Sequence, residues 1–378
     1  MEIEWQPIQS QTTTDATDAA ATFEKPVSTK RILLLVLNVV LLIVGGSGNP
    51  LFVRIYFLHG GNRKWFASFL QTAAFPFLLL PLIFSFIRRR RSRSSSASSA
   101  PLFLISPFLL ISSTVIGIIT GLVNFFYSYG SSYLPVSTSS LLISTQLGFT
   151  ALFALLIVRQ KFTAPTINSV VLLTFSAVVL GVHANGDRPE GESTAKYLAG
   201  FAMMLGAAVL YGLVLPLTEL MYTKAKQDIS YTLVMEIQFV IAAAGTAFCA
   251  VGMAANNDFQ AISEESHLYR LGETKYYVVV VFMALLTEAS LLGITGTIKY
   301  SSALVSGIAL AICVPISEVL AVLFLHEKFD AEKGVSLSLA IWGMISYFYG
   351  EYKTYLRNKT ATMEHMVPIS TSLSSPVN

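Results

Sequence analysis

The chain has 378 residues, is 53% hydrophobic and only 12% charged, and its mean hydropathy is +0.62. A soluble protein carries about 25% charged residues, so this composition excludes an ordinary soluble domain and points to a chain that sits largely in lipid. The net charge of +3 says little taken whole; its distribution along the chain says more.

A bilayer core needs roughly 20 apolar residues per helix. Ten spans are predicted, at 32–57, 65–87, 101–126, 134–158, 165–185, 197–222, 230–254, 276–298, 302–325 and 334–355. The fold class expected is an all-α polytopic membrane protein, with a polar N-terminal tail (1–31), a first five-helix half (32–185), a connecting loop (186–196), a second half (197–355) and a C-terminal tail (356–378). Short charged turns, Arg159-Gln160-Lys161 and His326-Glu327-Lys328, split two clear hairpins. No cleavable leader is expected, because the first 30 residues are polar and the first apolar run is too long for one. With the N-terminus inside, most of the 25 basic residues fall on inner segments, led by Arg88 to Arg91 and Arg93. That asymmetry places both termini in the cytoplasm. The serines at 94–99 read as a loop that continues the basic run.

A faint internal repeat accompanies the five-plus-five division. Lys161-Phe162 and Lys328-Phe329 end corresponding spans, and at the same offset Gln71 matches Gln238 and Gly148 matches Pro315. One residue fewer separates Pro50 from Pro216 and Tyr56 from Tyr222. An odd number of spans per half inverts the second half, an arrangement typical of secondary transporters with a substrate site near the midplane.

The first span contains Gly45-Gly46-Ser47-Gly48-Asn49-Pro50. Gly46, Gly48 and Pro50, with Pro315 in the ninth span, are candidate hinge positions; the competing reading of the glycines is close helix packing. Glu236, Glu288 and Glu318 lie well inside spans, and Arg54 is the nearest candidate cation. Apolar surroundings favour the neutral form of a carboxyl, so these three are candidate proton carriers, each also able to serve as a structural link between helices. Gln71, Asn124, Gln146 and Gln238 offer amides with both donor and acceptor, suited to the edge of a heterocycle. Trp65, Tyr127, Tyr211 and Trp342 are candidate stacking faces. Substrate binding is therefore assigned to Asn124, Gln146, Glu288, Tyr211, Trp65, Tyr127 and Gln71. Cys249 and Cys313 lie in apolar runs and read as small core residues. The histidines show no metal-ligand spacing, no phosphate-binding loop opens a helix, and no nucleophile–base constellation stands out. No cofactor or nucleic-acid partner is expected, and the oligomeric state stays open. The partners expected are a small molecule, protons and lipid. A channel or a membrane protein without transport activity is the rival class.

Three segments carry a family resemblance. They are GGSGNPLFVRIYFLHGGNRKWFASFLQTAAFP (45–76), GLVNFFYSYGSSYLPVSTSSLLISTQLGFTALFALLIVRQKFT (121–163) and VPISEVLAVLFLHEKFDAEKGVSLSLAIWGMISYFYGEY (314–352). The sequence resembles the plant purine permeases over 32–355. The resemblance implies the drug/metabolite transporter fold: ten helices, two inverted halves and a central cavity. It also implies proton-coupled uptake of adenine-like bases and cytokinins at the plasma membrane. Relatives in that family carry nicotine, pyridoxine or benzylisoquinoline alkaloids, so a permease for cationic alkaloids is the alternative. Two departures bear on this. Where similar members read GLDNYLYSYG, this chain keeps Asn124 but has Val123 for the Asp; where they read WQGFFLG, it has Thr287 and Glu288. A pocket facing that position would be wider and more acidic.

Overall fold

The computed structural model describes residues 29–92, 104–158, 163–182, 193–225, 227, 231–300 and 303–366. The serine-rich run at 94–99, Arg93, the Arg159-Gln160-Lys161 turn and most of the expected connecting loop lie outside the described residues, as do 1–28 and 367–378.

Every regular element among the described residues is helical. In chain order these are α1 (Thr29–Leu58), α2 (Lys64–Leu70), a 3₁₀ turn (Phe75–Leu78), α3 (Leu79–Ser92), α4 (Pro107–Tyr133), α5 (Val136–Ser144), α6 (Gln146–Phe153) with a π turn after it (Ala154–Val158), and α7 (Ala164–Val182). The second part has α8 (Thr194–Lys224), α9 (Tyr231–Ala255), α10 (Asp258–Leu268), α11 (Glu273–Tyr300), α12 (Ala303–Leu325) and α13 (Ala331–Met366).

Among the described residues seven stretches are long and apolar enough to cross a membrane: Ile32–Leu58, Lys64–Arg89, Pro107–Tyr133, Val136–Ile157, Thr194–Lys224, Thr232–Ala255 and Glu273–Ile294. Ala164–Val179 and Ile312–Leu325 are shorter apolar helices. The tenth expected span falls within α13, whose apolar run is diluted by Ser336, Ser338 and Ser346. Large apolar side chains such as Leu33, Leu80, Phe84, Ile111, Phe175, Val251 and Phe324 point outward, as a lipid-facing surface requires.

The second and fourth expected spans are not single helices. Helix α2 is capped by Gln71, and the chain turns through 71–74 before the 3₁₀ turn, whose second residue is Pro76. Thr145 separates α5 from α6. The segment between the seventh and eighth expected spans folds into α10, entered through Asn257 in the left-handed conformation (φ 56°). Asparagine tolerates that conformation better than most residues.

Helix α1 runs along α11, α4 along both α8 and α9, and α7 along α13. Helix α1 also meets α12, and α8 meets α6; α5 packs on α12 and α2 on α9. The α1–α11 seam explains the glycine run. A Cβ on Gly45 would collide with the backbone at Leu286 and Ser290, one on Gly46 would meet the Cys313 sulfur at 2.9 Å, and one on Gly48 would meet the Leu286 side chain at 3.2 Å. Ser47 donates to the Cys313 carbonyl at 3.4 Å, and Ser317 donates to the Ser47 carbonyl at 3.5 Å. Pro50 and Pro315 lie inside continuous helices. The glycines thus serve as a close-packing surface, the arrangement small residues allow in membranes.

Carboxylates tie the two ends of the bundle. At the end where α3 finishes and α4 and α9 begin, Glu236 accepts from the amides of Leu104 (2.7 Å) and Ile105 (3.1 Å), and Arg89 lies 3.8 Å away. At the opposite end Glu327 accepts from the amides of Val136 and Ser137 and from the Ser137 hydroxyl, closing the N-terminus of α5. There too Glu265 accepts from the Tyr56 hydroxyl (2.5 Å), the Tyr276 hydroxyl (3.1 Å) and the Asn62 amide (3.0 Å). Arg63 bridges Glu265 at 3.9 Å and the fully buried Asp258 at 3.3 Å. Tyr269, in the loop before α11, donates to the Ile55 carbonyl at 3.1 Å. Burial, with the Glu265 carboxylate nearby, pushes its phenol up to about 12, so it remains a neutral donor.

Candidate functional site

Five of the side chains that the sequence nominates for substrate binding lie on or against α4, which packs on α2 and on α8. Asn124 is 2% exposed on α4. Tyr211, on α8, donates its phenol to the Asn124 side-chain oxygen at 3.2 Å, and Ser68, on α2, donates to the Asn124 carbonyl at 3.2 Å. One turn further along α4, Ser128 accepts from the Gln71 amide nitrogen at 2.8 Å. Gln71 reaches it because α2 ends there and the chain turns away. Trp65 stacks on Phe125 with ring centroids 4.0 Å apart and 22° between planes, and Phe248 of α9 meets it edge-on at 5.9 Å. The indole fits only because residue 252 is glycine: a Cβ there would overlap the Trp65 ring. Tyr127 and Tyr211 belong to the same apolar core as Trp65 and Phe126.

The cluster therefore combines buried amides and hydroxyls with broad, half-buried aromatic faces. An amide and a phenol can exchange their mutual hydrogen bond for one to a heterocycle edge, while an indole offers a stacking face.

The remaining nominated residues lie elsewhere. Gln146 is half-buried at the start of α6, one turn before Thr150, where α6 crosses α8 at Gly212. Glu288 is 6% exposed on α11, and its Oε1 is buried without a hydrogen-bond partner. It lies two residues, about 200° round the helix, from both Leu286 and Ser290, so it turns away from the α1 seam. Glu318 is buried on α12 beside Ser317. Glu236 is held by the two amides and Arg89 at the bundle end. Arg54 donates to the last carbonyls of α4, at Ser131 (3.2 Å) and Ser132 (3.0 Å), where the helix dipole favours a cation. Trp342 points outward, 66% exposed. A groove of about 490 Å³ lined by Glu273, Thr274, Tyr277, Val278, Val281 and Phe282 runs along α11 alone and includes no nominated residue. Among the described residues no group of three His, Cys, Asp or Glu side chains is placed to hold a metal. Sequence reasoning missed Ser68, Ser128, Phe125 and Phe248; their contacts cross between distant segments and leave no local pattern.

The family defined by purine nucleobase transmembrane transport matches residues 33–357. The chain belongs to the purine permease family. It is 46% identical to "Purine permease 3" of Arabidopsis thaliana over 346 residues, covering 91% of this chain and 98% of that relative. It is also 46% identical to "Purine permease 2" of the same plant over 340 residues, covering 87% of this chain and 95% of the relative. "Probable purine permease 4" is 36% identical over 78% of this chain. One solved crystal structure is similar with a TM-score of 0.50 and 14% identity, covering 84% of this chain and 96% of that one; this is a likeness of fold alone. Membership makes the protein a multi-pass membrane transporter of small molecules, in a family of transporters and not of enzymes.

Proposed function

We propose that this purine permease is a proton-coupled importer of planar nitrogenous heterocycles, adenine-type bases and cytokinins, at the plasma membrane with both termini cytoplasmic. The observation that carries the reading is the grouping of the buried amides of Asn124 and Gln71 with the half-buried rings of Tyr211 and Trp65 along α4. Asn124 and Tyr211 take the substrate's polar edge, Trp65 with Tyr127 its faces, and Gln146 borders the site from α6. Glu288 carries the proton. Its unpartnered oxygen can take one up, whereas Glu236 is already engaged by two amides and an arginine. Glu318, buried on the neighbouring helix α12, stands in reserve as a second carrier.

In this reading ten helices form two inverted halves. Exchange of the halves turns the α1–α11 contact into α8–α4 and the α1–α12 contact into α8–α6, while α2–α9, α5–α12 and α7–α13 map onto themselves. That pairing supports the repeat suggested by the sequence. Rocking of the halves, with Gly46, Gly48, Pro50 and Pro315 along the sliding seam, would expose the site alternately.

Glu288 also favours a second reading, in which the cargo is a cationic alkaloid such as a benzylisoquinoline or nicotine and the carboxylate is its counter-ion. Competition uptake distinguishes the two. Cells without nucleobase uptake of their own receive the protein and radiolabelled adenine at acidic and neutral pH, with excess cytokinin or alkaloid. Acid-stimulated adenine uptake suppressed by cytokinin is expected. Accumulation of the alkaloid with no adenine uptake would establish the second reading instead.

A further inference from the structure

Helix α4 carries Phe125, Tyr129 and Tyr133 at four-residue intervals, so the rings share one stripe about 12 Å long. Phe125 and Tyr129 have centroids 6.3 Å apart, and Tyr129 and Tyr133 5.4 Å apart, both pairs strongly inclined. The inner end of this ladder is the Trp65–Phe125 stack, immediately beside Asn124 in the chain; the outer end is the last residue of α4. All four rings are half-buried, unlike Asn124. The ammonium of Lys64 lies over both outer rings, 5.1 Å from the Tyr129 centroid and 5.0 Å from that of Tyr133. Its neighbour Arg63 is matched by Asp258 and Glu265, but among the described residues Lys64 is in no ion pair. Among the described residues its charge is met by aromatic faces.

We propose that this ladder is a vestibule subsite for uncharged planar heterocycles and that Lys64 makes it reject fixed cations. The inference rests on the reading of the chain as a carrier of such compounds. Aromatic faces by themselves attract cations. With Lys64 already seated on them, a cation must displace a like charge, whereas a neutral ring can slide between the ammonium and the tyrosines and present its own face to Lys64. The neutral base then steps from Tyr133 and Tyr129 to Trp65 and the Asn124–Tyr211 pair. Its proton travels separately.

The test is inhibition of labelled adenine uptake by a matched pair of probes, an uncharged heteroaromatic base and its N-methylated, permanently charged form. In the wild type the charged probe is expected to need at least tenfold more for half-inhibition. Lys64→Gln should lower that ratio roughly threefold to thirtyfold, the range cation–π attraction spans, and Lys64→Arg should restore it. Tyr133→Leu, which removes a face and leaves the charge, should weaken the neutral probe's inhibition. An unchanged ratio in Lys64→Gln, in protein that still transports adenine, would overturn the proposal. Should the wild type fail to take up adenine, the functional reading fails instead, and the same ratio is then read from thermal stabilisation of purified protein by the two probes. Equal stabilisation of wild type and Lys64→Gln by the cation would again overturn it. If Lys64→Gln does not fold, Tyr133→Leu decides: unaltered inhibition by the neutral probe would rule out the vestibule.

Discussion

Tyr211 of α8 and Asn124 of α4 are joined by a 3.2 Å hydrogen bond between a half-buried phenol and a buried amide. A buried pair of this kind either holds two helices together or is exchanged for contacts to a ligand, and the two roles leave different traces. Tyr211→Phe keeps the ring and removes only the donor. For a ligand-exchanging pair the KM for adenine should rise about threefold to tenfold, the size of one net hydrogen bond, with the amount of protein at the cell surface unchanged. A fall in surface protein with KM intact would make the pair a strut.

The Trp65 stacking face depends on Gly252, whose position a Cβ cannot share with the indole. Gly252→Ala should displace Trp65, shift its fluorescence and cut adenine uptake at least tenfold, without a comparable loss of folded protein. Uptake at the wild-type level would remove Trp65 from the site.

Glu236 and Glu265 should behave as structural groups. Glu236→Ala strands the amides of Leu104 and Ile105, and Glu265→Ala strands the hydroxyls of Tyr56 and Tyr276 and the amide of Asn62. A buried donor left without an acceptor costs about 1–3 kcal/mol, a cost that falls in full on the Tyr56 and Tyr276 hydroxyls and less on the more exposed amides. A lower melting temperature of the purified protein is expected in both variants, with the pH profile of the residual uptake unaltered. A shifted profile in Glu236→Ala would give that carboxylate a share in coupling.

The sequence made the helical membrane character legible because lipid imposes long apolar runs. It also marked Trp65, Gln71, Asn124 and Tyr211, since polar and amphipathic side chains within such runs need a reason to be there. It said less about the breaks. Gln71 and Thr145 interrupt helices without an obvious breaker at the point of interruption, because tertiary packing decides where these segments bend. The glycines at 45–48 read equally as a hinge or a contact surface, and only the folded chain shows how closely they lie against α11 and α12. The Glu265 assembly joins residues 56, 62, 63, 258 and 276, which only the folded chain brings together.

Glu288 offers the most direct measurement, made on purified protein in liposomes with labelled adenine outside and an imposed inward proton gradient. Wild-type vesicles are expected to accumulate adenine above its outside concentration and to lose that accumulation when the gradient is collapsed. Glu288→Gln vesicles should only equilibrate it, still exchanging labelled for unlabelled adenine. Gradient-driven accumulation by Glu288→Gln equal to the wild type would contradict the assignment of the proton to this carboxyl. Wild-type vesicles that fill at the same rate with and without the gradient would contradict proton coupling itself.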